Sequence, residues 1–397
     1  MMLAWTFHSM VWPYLTLFAS ERLDLPLTNV TLLISIHSAV GLVATFIGGA
    51  IADRFGRKWV MAFSMLVCAV AWFFFQLAGA YPLLALLMAV MGATTPLYRL
   101  AADAMIADLI PAEDRIDAYS VIRLGNNLGV AVGPAIGGFL AAVSYNISFS
   151  VVGIGLFATG LIVAIFSIET MPKQSTQLVE RERTIQSYAP AFKDHAFIRM
   201  LISFTFNRIG SSILWILLAV YAKQNFGLSE KLYGFIPVTN AVMVILFQIA
   251  VTRWTKKRAP AMSMAVGAMF YSVAVFLVAF GHGFWMFWVC MVIATIGEMV
   301  LLPTSTTFVS RQAPEDMRAR YMSLYTLTWG VGTLVGPLIG GMLADLVSPA
   351  ATWIGGGIIS SIGALMFLWN HKNDRKIDLK DNGPSKRDMV EEGLVDA

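Results

Sequence analysis

The chain has 397 residues, of which 57% are hydrophobic and 13% charged, with a net charge of +4 and a mean hydropathy of +0.70. A soluble domain carries about 25% charged residues, so the composition argues against a soluble enzyme and for an integral membrane protein. The positive balance fits basic loops facing anionic lipid rather than nucleic acid. Cys68 and Cys290 stand alone in separate apolar runs, which provides neither a disulfide framework nor a metal site.

Runs of roughly 20 apolar residues mark membrane spans. In chain order they predict twelve: 3–19, 29–52, 59–80, 82–107, 118–143, 147–168, 198–222, 232–252, 261–281, 284–307, 321–344 and 350–369. Backbone polar groups find no water in lipid, so each span is expected to be a helix. The first run lacks a basic flank and a cleavage site, and reads as a span rather than a leader. It starts almost at residue 1, and a few upstream residues are expected to precede it.

The second and third spans are joined by Gly49-Ala-Ile-Ala-Asp53-Arg54-Phe-Gly56-Arg57-Lys58, a short positive turn. With that turn placed in the cytoplasm, the inside segments hold 22 Lys and Arg and the outside segments 3. The positive-inside rule then sets both termini in the cytoplasm of a plasma-membrane protein. Residues 169–197 read as a polar cytoplasmic linker with a short surface helix. They separate an N-terminal six-helix bundle (1–168) from a C-terminal one (198–369), and 370–397 reads as a charged, disordered tail.

An internal repeat supports two halves. Pro111, Arg115, Gly129, Gly133, Pro134, Gly137 and Gly138 recur 203 residues later as Pro314, Arg318, Gly332, Gly336, Pro337, Gly340 and Gly341. Such repeats mark secondary transporters, with the substrate site at midplane between the halves. The chain is all-α, with twelve transmembrane helices in two pseudo-symmetric six-helix bundles.

The Gly49–Lys58 turn resembles the signature between helices 2 and 3 of the major facilitator superfamily. Gly129-x-x-x-Gly133-Pro134-x-x-Gly137-Gly138 resembles the helix-5 signature of its proton-coupled drug exporters. Two positions depart from the pattern. Met88 stands a turn before Gly92, where drug exporters place an Arg, and Arg253–Arg258, the counterpart of the Asp53 turn, has no acidic residue or Gly. The resemblance implies a latch of Gly49, Asp53, Arg54, Gly56, Arg57 and Asp108 with Arg318 or Arg320 at the start of the eleventh span, locking the outward-open state. The plainer reading is a solvated loop that fixes topology. It also implies that the Gly129–Pro134–Gly137 and Gly336–Pro337–Gly340 helices line the seam between halves.

Ionisable groups at membrane depth are costly and functional by default. Arg99 and Asp103, four apart, are spaced to pair, and Arg123 enters the fifth span nearby. Arg208 and Glu298 fall near midplane. The family's architecture implies that Arg99, Asp103, Arg208 and Glu298 lie along the substrate path, with His8, Trp12 and Asn207 as further cavity candidates. Glu298 is the leading candidate for the coupling proton, the alternative being a structural ion pair with Arg208; Asp103 is second, with a structural pair to Arg99 as its alternative.

The expected function is proton-coupled efflux of small amphipathic or drug-like molecules by alternating access, and the alternative is import of an anionic metabolite. No P-loop is present, and no catalytic constellation suggests an enzyme. The expected partners are a small-molecule substrate, protons and the bilayer. A functional monomer with no cofactor, driven by the proton gradient, is expected.

Overall fold

The structure is a computed structural model. It describes residues 1–111, 114–170, 188–314 and 317–382, excepting the side chains of 115–117, 120, 123, 319 and 371–382. The first half comprises α1 (Met2–Leu23), α2 (Leu27–Phe55), α3 (Arg57–Phe75), α4 (Tyr81–Leu109), α5 (Arg115–Val143) and α6 (Tyr145–Phe166). A short α7 (Ala189–Lys193) leads into the second: α8 (His195–Phe226), α9 (Glu230–Tyr233), α10 (Phe235–Thr255), α11 (Pro260–Val278), α12 (Gly283–Gln312), α13 (Arg318–Leu346) and α14 (Ala351–Asn382). The twelve predicted spans are α1–α6, α8 and α10–α14.

Turn chemistry sets the breaks. Gly56 takes φ +89° between α2 and α3, a conformation that L side chains avoid. Asp194 caps α8 by accepting from Phe197 N at 3.0 Å. Among the described residues, eleven helices are long and apolar enough to cross a membrane. The twelfth, α1, carries more polar side chains, and it turns Ser9 and Thr16 into the protein interior. Large apolar side chains such as Phe63, Phe166 and Leu346 are exposed on the surface, which suits contact with lipid.

The repeat extends far beyond seven positions. Helices α3 and α11, and α5 and α13, match end to end at an offset of 203. Ser9 Oγ donates to Gly129 O at 3.1 Å, and Ser212 Oγ, 203 residues on, donates to Gly332 O at 2.7 Å. The glycine ridges explain these contacts. A Cβ on Gly137 would overlap the Met10 carbonyl, and one on Gly336 would overlap Ser212 and the Ile209 carbonyl. Small residues thus let α5 press against α1, and α13 against α8.

The α5 and α13 helices line the seam between halves, α13 along α2 and α5 against α9 and α10. Their Gly129–Gly137 and Gly336–Gly340 ridges, however, pack inside their own halves. The seam is reached by the Pro134 carbonyl, near Gly234, by Gly138, against the Glu230 carbonyl, and by Gly341, against Thr31 and Leu27. Gly138 lies about 100° round the helix from Gly137, so the two glycines face different neighbours. The charged tail, expected to be disordered from 370, continues as helix to Asn382. Residues 371–382 contain no Gly or Pro to stop it, whereas Gly383-Pro384 follow at once. Most of the linker (171–187) and residues 383–397 lie outside the described residues.

Candidate functional site

Among the described residues, polar contacts join the two halves at the end of the bundle away from Gly56. There Asp345, at the end of α13, accepts from Leu27 N at 3.0 Å, Thr28 N at 2.7 Å and Thr28 Oγ1 at 2.6 Å. A carboxylate at a helix N-terminus satisfies orphan N–H groups and meets the positive end of the dipole. Lower on the same seam, Ser35 Oγ donates to Leu334 O at 2.6 Å and Ser38 Oγ to Thr333 Oγ1 at 3.2 Å.

The symmetry-related seam carries a second cluster. Buried Glu230 pairs with Lys223 and accepts from Tyr145 Oη of the first half at 3.0 Å. Lys223 also lies 3.6 Å from Glu21, and Gln224 donates to Ser20 Oγ at 2.7 Å. Thr16 Oγ1 reaches Ile216 O at 2.9 Å. Among pairs with both side chains described, all hydrogen bonds and ion pairs between the halves lie between mid-helix and this end.

At the Gly56 end Arg57 and Asp108 tie α3 to α4 within the first half. Arg57 pairs with Asp108, while Asp53 is 67% exposed, 3.6 Å from Arg57. Glu169 Oε1 accepts from Arg57 N at 2.9 Å, and Thr170 Oγ1 donates to Asp108 Oδ2 at 2.9 Å. Arg54 lies over the Phe55 ring. Gly49 sits in the last two turns of α2, and Arg318 and Arg320 open α13. The sequence expected Asp53 to grip that helix; in this conformer its ion-pair partner is Arg57.

The charged groups of the second half sit mid-helix. Glu298 is the sixteenth of the thirty residues of α12, and Arg208 the fourteenth of the thirty-two of α8. Glu298 Oε2 accepts from Asn240 Nδ2 at 2.9 Å and from Tyr271 Oη at 3.1 Å. Asn240 also donates to Thr295 Oγ1 at 3.0 Å. The alternative direct ion pair with Arg208 is not formed. Arg208 is instead enclosed by rings: its Cζ lies 4.1 Å from the Trp329 centroid, 5.4 Å from Phe204 and 5.6 Å from Tyr271. Tyr271 therefore stands between the cation and the carboxylate.

Other candidates are placed differently from expectation. Asn207 is fully buried and donates to Ser360 Oγ at 2.9 Å, so it ties α8 to α14. It is one residue from Arg208, and helical neighbours diverge by about 100°. Arg99 and Asp103 form no ion pair; Arg99 is exposed, and the Asp103 carbonyl accepts from Tyr119 Oη at 3.1 Å. The Arg123 side chain lies outside the described residues. His8 stacks on Trp12 at 5.2 Å, and Trp12 meets His37 at 4.9 Å, a ring ladder between α1 and α2. Beside it a cavity of about 130 Å³ is lined by Trp5, His8, Cys68, Thr94, Thr95 and Arg99, among others.

The family model of the Major Facilitator Superfamily matches residues 1–207 and 200–388, which is nearly the whole chain. The chain belongs to the major facilitator superfamily. Among its relatives is a Na(+), Li(+), K(+)/H(+) antiporter of Planococcus maritimus, 25% identical over 91% of each chain. Another is the quinolone resistance protein NorA of Staphylococcus aureus, 25% identical over 89% of this chain and 91% of that one. The fold is shared with a bacterial homolog of the human lysosomal transporter Spinster in an inward-facing, occupied conformation. That structure has a TM-score of 0.79 at 15% identity, with 94% of each chain covered. A point mutant of the nucleoside transporter NupG also shares it, with a TM-score of 0.73 at 15% identity over 93% of this chain and 98% of that one.

This member of the major facilitator superfamily is thus a multi-pass membrane transporter and not an enzyme. Several residues of its site escaped sequence reasoning. Asn240, Tyr271 and Trp329 look like ordinary members of apolar runs, and only the repeat could have flagged them. Their counterparts 203 residues earlier are His37, Cys68 and Asn126. Asp345 and Glu230 read as span ends, and Glu169 as the start of the linker. A carboxylate just outside an apolar run is the one signal they shared.

Proposed function

We propose that the chain is a proton-coupled antiporter that moves small amphipathic molecules by alternating access, with Glu298 as the proton-carrying group. The observation that supports this most is the setting of Glu298. It lies at the middle of α12, bound by two neutral donors, Asn240 and Tyr271, and forms no ion pair among the described residues. A carboxyl without a fixed cation can exist charged or neutral as the cavity opens to one side or the other. Both donors can rotate to serve either state. Two antiport or efflux relatives agree with this reading.

The distribution of positive charge, 22 against 3, supports a cytoplasmic Gly56 turn and cytoplasmic termini. The Asp345 end is then extracellular, and the structure is an inward-open conformer. In the opposite state the Asp345 contacts would part, and Asp53 would approach the start of α13. The proton gradient is the energy source, with no cofactor, and a single chain suffices. Gradient-driven transport in proteoliposomes tests this: replacing Glu298 by Gln should leave no dependence on an imposed pH gradient.

A further inference from the structure

Arg208 has no structural need to be an arginine. Its counterpart in the first half, 203 residues earlier, is Trp5, and the helix crossing it belongs to is built the same way in both halves. A Trp serves one copy; a guanidinium, costly at membrane depth, occupies the other. Its place in the packing therefore does not explain its charge.

The guanidinium is 6% exposed as a residue, and its Nε and Nη2 atoms are buried with no hydrogen-bond partner. Those two N–H groups form one edge of the planar fork, the edge that receives the two oxygens of a carboxylate side-on. Trp329 covers the guanidinium face and is 39% exposed. On α13 it follows the exposed Ser323 and Thr326, and it precedes Thr333, which meets Ser38 across the seam. That polar stripe faces the space between the halves, not lipid. Trp329 thus offers a flat apolar surface beside the fork.

We propose that Arg208 is the binding residue for a carboxylate on the transported molecule, with Trp329 holding that molecule's aromatic or apolar part. The inference rests on the transporter reading above but not on its proton coupling. It makes the substrate an amphipathic anion or zwitterion. Tyr271 then links the two events, since it donates to Glu298 and borders Arg208.

The test is equilibrium binding to the purified full chain in lipid nanodiscs, without a pH gradient, read by tryptophan fluorescence. The probes are 2-naphthoate and its neutral analogue 2-naphthalenemethanol. The wild type should bind the carboxylate about tenfold or more tightly than the alcohol. Arg208→Gln should remove that preference, and Arg208→Lys should restore only part of it, because an ammonium cannot offer the fork. Trp329→Ala should weaken both probes. Should Arg208→Gln fail to fold, Arg208→Lys carries the test, and an undiminished carboxylate preference in that variant overturns the proposal. Equal binding of the two probes, binding of neither, or an unchanged preference in a folded Arg208→Gln protein overturns the proposal. The binding assay is run without a pH gradient and proton coupling is read separately as gradient-driven transport, so failure of proton coupling and failure of this inference give different results.

Discussion

Asp345 and Thr28 hold the two halves of the molecule together: the carboxylate at the end of α13 accepts both the backbone N–H and the hydroxyl of Thr28 at the start of α2, at 2.7 and 2.6 Å. The resemblance implies a contact at the other end of the same two helices, with Asp53 on α2 reaching the start of α13. In this conformer the contact is inverted. The donor helix is α2 and the acceptor lies on α13.

Removing this carboxylate should favour the opposite conformer. The contact is solvent-exposed, so its net worth is roughly 1–2 kcal/mol. Asp345→Asn should then shift the balance of conformers by about tenfold. Spin labels at the exposed Leu77 and Leu346, one in each half, should show a longer distance becoming populated. An unchanged distance distribution would mean that the Glu230 cluster alone holds this end closed.

The latch residues at the Gly56 end should separate stability from function. Asp53 is 67% exposed, so Asp53→Asn should change unfolding stability by no more than about 0.5 kcal/mol. Transport should nevertheless fall, because in the proposed cycle Asp53 meets the start of α13 in the other state. Asp108 is 29% exposed and anchors Arg57. Asp108→Asn should therefore lower the melting temperature as well as transport. Thermal unfolding and uptake measured on the same preparations check both, and full transport by Asp53→Asn would remove the latch.

Close helix contacts predict a graded glycine series. A Cβ at Gly137 meets the Met10 backbone, which cannot yield cheaply, whereas Gly79 has nothing within 4 Å. Gly137→Ala should cost about 1–3 kcal/mol or more and reduce folded yield. Gly79→Ala should be neutral. Fluorescence-detected size-exclusion profiles after heating distinguish the two.

The fold was largely legible because it rests on long-range regularities. Apolar runs located the twelve helices, and seven matched positions revealed an offset that proves to align α3 with α11 and α5 with α13 end to end. Glu298 and Arg208 were legible for a related reason: an ionisable residue inside an apolar run stands out. Their neighbours did not stand out. Tyr271 and Asn240 are compatible with any membrane helix, and only packing brings them to within 3.1 and 2.9 Å of Glu298. Asn207 shows the converse error. Proximity in sequence to Arg208 suggested the cavity, but a step of about 100° turns it toward α14. Pairing of Arg99 with Asp103 failed because helical spacing permits a contact without requiring one.

The support around Glu298 gives a finer expectation. Tyr271→Phe removes one donor and Asn240→Ala another, each leaving the carboxyl in place. Each should shift the pH dependence of transport without abolishing coupling. If either variant behaved like the loss of Glu298 itself, the proton would reside on the network rather than on that carboxyl.

The most direct measurement is transport in proteoliposomes under an imposed pH gradient, comparing wild type with Glu298→Gln at equal reconstitution. The transported compound is chosen by its binding to the purified wild type. The wild type should be accelerated by a gradient of one sense and slowed by its reversal, while Glu298→Gln should transport at one rate irrespective of the gradient. A variant that keeps the wild-type response to both gradients would contradict Glu298 as the proton carrier.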